Sequence, residues 1–371
     1  MNARLIVADS ERDANMLYAT RMFVPDPFIW FAVRSRSYVV MSDLEIDRAR
    51  KQAAVDRILS YTHYQRRLKR NGLREPRFSD VLHCILRDFR IRSVEVPTSF
   101  PIGLVKKLRG VRVAVKPDPC FPQREIKTPA EVARLAAAMR MSEEGMRAAV
   151  TVLRRSRIGR DGFLYWGKGK LTAEDVQGAI NSTIASLGGI AAHTIVACGN
   201  QGCDPHESGH GPLRAHTSVI VDIFPRDMKS GYFGDITRTV VRGRASDAVK
   251  KLYAIVGKAQ ALAFQKLRAG VNGKDVHDAI QKLFADGGYK TGRRRGRMQG
   301  FFHGTGHGLG LEVHERPRVS TVSETLRAGH VVTVEPGLYY WGVGGVRLED
   351  VVVIGDHRSR NLTVFPKQLE I

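Results

Sequence analysis

Between Phe301 and Glu315 the chain reads FFHGTGHGLGLEVHE, placing His303, His307 and His314 among the alternating glycines Gly304, Gly306, Gly308 and Gly310. Glycines this dense oppose a stable helix and let backbone come close to something bound. Imidazoles presented this way serve as proton carriers or as metal ligands. Four carboxylates elsewhere stand in apolar strand-like runs: Asp222 in SVIVDIF and Asp235 thirteen residues later at the head of DITRTVV, then Glu335 at the end of VVTVE and Glu349 fourteen residues later in GVRLEDVVV. Strand alternation puts Ile220, Asp222 and Phe224 on one face and Val219, Val221 and Ile223 on the other. A carboxylate buried there without a partner would cost several kcal/mol. A single buried acid is more often hydrogen-bonded structure than a ligand. Four acids and one imidazole together have a common purpose, since they can hold two divalent ions that share bridging oxygens. Ions about 4 Å apart clamp and activate a water between them.

The elements that must position these groups occur twice in the same order. Thr128, Pro129 and Glu131 form a helix start, with an N-cap, a first-turn proline and a capping-box acid, and Val132, Leu135, Ala136 and Met139 follow at helical spacing. A second helix is expected from about Thr172 to the Gly188-Gly189 stop. Strands at Ser218 to Phe224 and Asp235 to Val241 carry the first two acids. Helices at about Asp247 to Ala269 and Lys274 to Ala285 come next, then strands at Val331 to Glu335 and Val346 to Ile354 with the second two. This echo predicts two similar halves facing each other. Residues 1–126 read as a smaller α/β unit. Its expected strands are Leu5 to Ala8, Phe28 to Val33, Ser37 to Met41, Arg92 to Val96 and Val111 to Val115, with a helix at Asp13 to Arg21 and a crossover helix beginning within Pro97 to Lys107. Four prolines in Lys116 to Glu131 mark the boundary, giving domains 1–126 and 127–371.

The set Asp222, Asp235, His307 in GTGHGLGLEVHE, Glu335 in EPGLYY and Glu349 in GVRLED resembles the pita-bread metallopeptidases, which include methionine aminopeptidases, Xaa-Pro aminopeptidases and Xaa-Pro dipeptidases. The resemblance covers about residues 127–371 with all five ligand positions filled. Residues 1–126 are more weakly similar to the N-terminal domain of the creatinase and prolidase branch, best in SYVVMSDLEIDRAR, and methionine aminopeptidases usually lack such a domain. The resemblance implies an α/β (α+β) chain with a pita-bread catalytic domain of pseudo-two-fold halves. It implies hydrolysis of the Xaa-Pro bond at the N-terminus of peptides or in dipeptides, through a hydroxide bridging two divalent ions. Manganese is favoured, and cobalt or zinc also suit a carboxylate-rich site with one imidazole. It further implies a peptide substrate with a free N-terminus, a homodimer, Glu335 as proton shuttle, and two outer histidines, His206 in DPHESGHGPL and His314, stabilising the oxyanion. His210 competes for the first place; the Pro-His dipeptide and the sixteen-residue distance to Asp222 favour His206. His303 could likewise be a ligand, but it is read as supporting the ligands or as structural. Where the family often has glycine two places after the first aspartate, this chain has Phe224 and then Pro225, so the connection beside the metals differs.

Other motifs fail. HERPR lacks the second histidine of a HExxH zinc helix and contains Pro317, GTGHGLG lacks the spacing of a dinucleotide loop, and no GxSxG elbow occurs. Four scattered cysteines read as free thiols. No apolar run is long enough to span a bilayer, and the apolar stretch in MNARLIVADSERD is too short for a secretory signal, so a cytoplasmic location is expected. The formal net charge of +22 is spread along the chain, with local runs at Arg66 to Arg70 and Arg293 to Arg297. Without a recognisable binding module it reads as a solvated basic surface in preference to a nucleic-acid site. The rival readings are a creatinase-like amidinohydrolase, against which the intact ligand set weighs, and a non-catalytic binding protein for an acidic partner.

Overall fold

Capping chemistry sets the main helices of the computed structural model, which describes residues 2–371. The Thr128 hydroxyl accepts from the Glu131 N–H at 3.3 Å and the Glu131 carboxylate accepts from the Thr128 N–H at 2.9 Å, starting the helix Pro129–Arg155. Thr172 and Asp175 repeat the device ahead of Ala173–Ser186. Ser246 and Asn272 cap Asp247–Lys266 and Gly273–Asp286. Each of these four helices starts within a residue of its expected place.

The chain divides into two units, the first ending at Arg124 and the second spanning Glu125–Ile371. The first is built on a six-stranded sheet in the order Arg57–Ser60, Arg36–Met41, Phe28–Val33, Asn2–Ala8, Ser93–Pro97, Arg112–Lys116. Its strands are apolar on both faces: Leu5, Ile29 and Phe31 belong to one core cluster, and Ile6, Phe28 and Trp30 to another. The expected crossover helix is only Ile102–Val105. The basic run at Arg66 to Arg70 forms the C-terminal half of the helix Tyr61–Arg70, where cations complement the helix dipole, and Arg67 grips Asp88 with both amino groups at 2.7 and 2.6 Å.

In the second unit, Ser218–Ile223 is the middle strand of three, between Ile195–Cys198 and Ile236–Val241, and all six of its residues are buried. A five-stranded sheet runs in the order Glu315–Val319, Gly306–Gly308, Val331–Val334, Asp350–Val353, Arg360–Asn361. The expected single strand Val346 to Ile354 is instead two: Gly344–Arg347 pairs with Gly337–Tyr340, whereas Asp350–Val353 pairs with Val331–Val334. The ladder breaks because the Glu349 N–H donates to the Thr237 carbonyl at 3.1 Å and the Leu348 N–H to the Pro336 carbonyl at 3.4 Å. The chain thereby changes sheets at Glu349. No helix among the described residues is long and apolar enough to cross a membrane.

Candidate metal centre

Each acid is delivered at or beside a strand end. Asp222 pairs with Ile195 on one side and Thr237 on the other, Asp235 precedes the strand that starts at Ile236, and Glu335 follows the strand that ends at Val334. His307 is the middle residue of Gly306–Gly308, and here the flanking glycines are required by space. A Cβ on Gly306 would lie 2.0 Å from the Thr333 carbonyl oxygen, and one on Gly308 2.2 Å from that of Arg316. The glycines let three strands close around the imidazole.

Asp235, His307 and Glu349 each offer a ligand atom, and these atoms lie within 4.8 Å of one another. Glu335 joins through His307, whose Nε2 is 3.4 Å from Glu335 Oε1 and 3.9 Å from Asp235 Oδ2. The His307 Nδ1–H donates to the Gly308 carbonyl at 3.1 Å, so Nε2 carries the lone pair. Burial, with His314 and Arg318 nearby, pushes His307 down to about 3, which keeps the ring neutral. A lone pair facing two carboxylate oxygens is repulsive unless a proton or a metal cation lies between them. Asp222 lines the same cavity of about 1010 Å³. Its Oδ2 accepts from Arg347, while its Oδ1 is buried with no hydrogen-bond partner among the described residues.

The electrostatics agree with this donor set. Burial, aided by the charges of Asp222 and Glu335, holds Asp235 well above the usual carboxylate range. Burial, aided by Asp235 and Glu335, does the same to Glu349. Glu335 is pushed by burial to about 7 although Arg347 opposes the shift. Carboxylates crowded in low dielectric cannot all ionise without a compensating positive charge. The orphaned Asp222 oxygen, the unprotonated His307 nitrogen and these crowded acids fit divalent cations.

The cavity wall places the outer histidines. His206 and His314 both line it, and the His314 ring centroid is 4.4 Å from that of His307. His210 is not part of the lining; its side chain is 72% exposed and lies 3.5 Å from Glu207. His303 serves a neighbouring network. Its Nδ1–H donates to the Gly304 carbonyl at 2.8 Å, which leaves Nε2 to accept from the Tyr339 hydroxyl at 2.8 Å. Arg347 donates to that hydroxyl at 3.0 Å, to Asp222 at 2.6 Å and to the Thr237 hydroxyl at 3.3 Å, and the same hydroxyl donates to Glu349 at 2.8 Å. Arg347, Tyr339 and Thr237 were not singled out from the sequence. An arginine inside the apolar run GVRLEDVVV was the available signal, because a buried guanidinium needs an acid. The Phe224-Pro225 departure has a clear outcome: Phe224 lines the cavity, and the connection closes with the Gly234 N–H on the Pro225 carbonyl and the Phe233 N–H on the Gly310 carbonyl, each at 2.9 Å.

The chain is similar to known proteins over most of its length. The sequence model of metallopeptidase family M24 matches residues 133–356. The Xaa-Pro dipeptidase of Pyrococcus horikoshii is 30% identical over 285 residues, 75% of each chain. Among solved structures, an X-Pro aminopeptidase from Thermotoga maritima superposes with a TM-score of 0.82 at 23% identity, covering 100% of this chain and 98% of that one. A prolidase from Pyrococcus horikoshii superposes with a TM-score of 0.81 at 24% identity, covering 100% and 95%. The fold is therefore the expected one, a mixed α/β chain whose pita-bread domain follows a smaller N-terminal domain.

Proposed function

The chain belongs to metallopeptidase family M24, and from that premise we propose that it is a dinuclear metal-dependent peptidase acting on the Xaa-Pro bond at the N-terminus of peptides or in Xaa-Pro dipeptides. The observation that carries this reading is the convergence of Asp235, His307 and Glu349, with Glu335 and the orphaned oxygen of Asp222, on one cavity. These five residues would hold two divalent ions, manganese being favoured. When bound, such ions polarise a carbonyl and make water acidic enough to lose a proton near neutral pH.

The chain's own groups then have defined tasks. Glu335, beside His307 and within 3.4 Å of the Thr333 hydroxyl, is placed to take and return the proton. Burial, with Arg318 and His206 nearby, holds His314 below its ordinary value. A neutral His314, with His206 on the same wall, donates an N–H to the oxyanion that forms at the scissile carbonyl. Arg347 and Arg318 are the cations of the lining. Because Arg347 is held by Asp222, Arg318 is left to meet the free carboxylate of a dipeptide, which favours dipeptides over longer peptides.

Incubation with Xaa-Pro dipeptides and longer Xaa-Pro peptides in the presence of manganese, cobalt or zinc tests the reading, with His307→Ala as the control. Release of the N-terminal residue by the parent protein and not by the variant supports it. Cleavage of neither class with any of the three metals sinks it.

A further inference from the structure

The run Arg293 to Arg297 is a β-hairpin, and none of its residues lines the cavity of the metal centre. Gly292–Arg294 pairs with Arg297–Gln299 in a register that sets Arg294 directly opposite Arg297. The tip residues Arg295 and Gly296 have φ of 47° and 80°. Both values suit a tight primed turn, and the first costs a non-glycine residue some strain. Like charges directly across a strand pair destabilise it. Residues 287–311 include no aspartate or glutamate, so the adjoining sequence offers no counter-charge. All four arginines are exposed. The hairpin is nevertheless well held, because Gly300 bridges to Tyr339 and the Tyr340 hydroxyl donates to the Lys290 carbonyl at 3.0 Å.

An aromatic platform adjoins the arginines. The Arg297 guanidinium sits 3.8 Å from the centroid of the Trp341 ring, and Trp341 is 40% exposed. A guanidinium on an indole makes a flat cationic plane, on which a base can stack while neighbouring guanidinium forks take phosphate oxygens. A lipid surface would instead call for a bare indole free to enter the headgroup region. An acidic peptide offers carboxylates but no planar rings.

We propose that the hairpin 292–299 together with Trp341 is a docking surface for single-stranded nucleic acid, separate from the peptidase site. Phosphates meet Arg293, Arg294 and Arg295, and bases stack against the Arg297–Trp341 pair. The basic run thus acquires a partner that offsets its internal repulsion.

Fluorescence anisotropy of a labelled, mixed-sequence twelve-nucleotide RNA with the full chain tests this. Binding at about 50 mM salt that falls steeply by about 200 mM is expected. Arg294→Gln combined with Arg297→Gln should weaken it by about tenfold and flatten the salt dependence by about one to two phosphate contacts. Trp341→Leu should weaken it by about fivefold or more with the salt dependence retained. Far-UV circular dichroism and the melting temperature show that the variants are folded. The proposal is overturned by no binding at low salt, by binding that the hairpin variants leave unchanged, or by equally tight capture of polyglutamate or anionic vesicles through the same residues.

Discussion

Arg347 and Asp222 form an ion pair of 2.6 Å, with their side chains 3% and 12% exposed, while the other oxygen of Asp222 has no hydrogen-bond partner among the described residues. The arginine holds one half of the carboxylate and keeps the other half pointed to no protein donor. Such a pair stabilises little compared with apolar packing, but removing one member is costly because the other charge stays buried.

Arg347→Met is therefore expected to lower the unfolding free energy of the metal-free protein by about 3–5 kcal/mol in urea denaturation. Added manganese should recover part of that loss, since an ion replaces the missing positive charge. A loss below about 1 kcal/mol would show that Asp222 does not depend on Arg347.

Arg318 bears on substrate length. Arg318→Met should raise KM for an Xaa-Pro dipeptide by about tenfold or more, the worth of a hydrogen bond to a charged group, and leave longer Xaa-Pro peptides nearly unaffected. Equal losses on both substrates would remove the assignment of this cation to a terminal carboxylate.

The bend that carries His314 rests on a second buried pair. Lys127 Nζ lies 3.0 Å from Glu315 Oε2, with side chains 2% and 6% exposed, and Glu315 Oε1 accepts from the Leu311 and Glu312 N–H groups at 3.0 and 3.2 Å. Lys127→Met removes the cation beside that buried carboxylate, so a loss of about 3–5 kcal/mol is expected together with a lower kcat. Urea unfolding and steady-state rates check this, and an unchanged kcat would separate the pair from the placement of His314.

Stability should also fall in mild acid. Burial, with Arg327 and Lys127 nearby, pushes His330 down to about 4 from an ordinary value of 6.5. Its Nδ1 is occupied by the Arg327 N–H at 3.0 Å. Between these two values the unfolded chain binds a proton that the native chain does not, so stability is lost as the pH falls from about 6.5 towards about 4. His330→Gln should make the dependence shallower by up to about 1.4 kcal/mol per pH unit across that window. Identical slopes in chemical denaturation at several pH values would exclude His330 as a contributor.

The sequence showed most clearly what depends on neighbouring residues along the chain. The four helices of the second unit could be read because their caps are local, as at Thr128 with Glu131 and Thr172 with Asp175. The strand acids stood out because a carboxylate in an apolar run demands a partner. What the sequence concealed depends on partners far along the chain. The run Val346 to Ile354 has no glycine or proline to mark a break, and only the contacts of Leu348 and Glu349 with Pro336 and Thr237 reveal that it serves two sheets. Arg347 meets Asp222 across 125 positions, beyond anything strand alternation can specify. In the first unit, the helices Tyr61–Arg70 and Phe78–Asp88 went unread, the first masked by the charge of its basic run.

Metal-dependent cleavage at the site of Asp222, Asp235, His307, Glu335 and Glu349 can be measured directly. Protein stripped with a chelator should be titrated with manganese while proline release from an Xaa-Pro dipeptide is followed. No release is expected without metal, then a rise that saturates at two ions per chain, and no recovery in Asp235→Asn. Proline release undiminished by stripping, or none at any metal loading, would contradict that expectation.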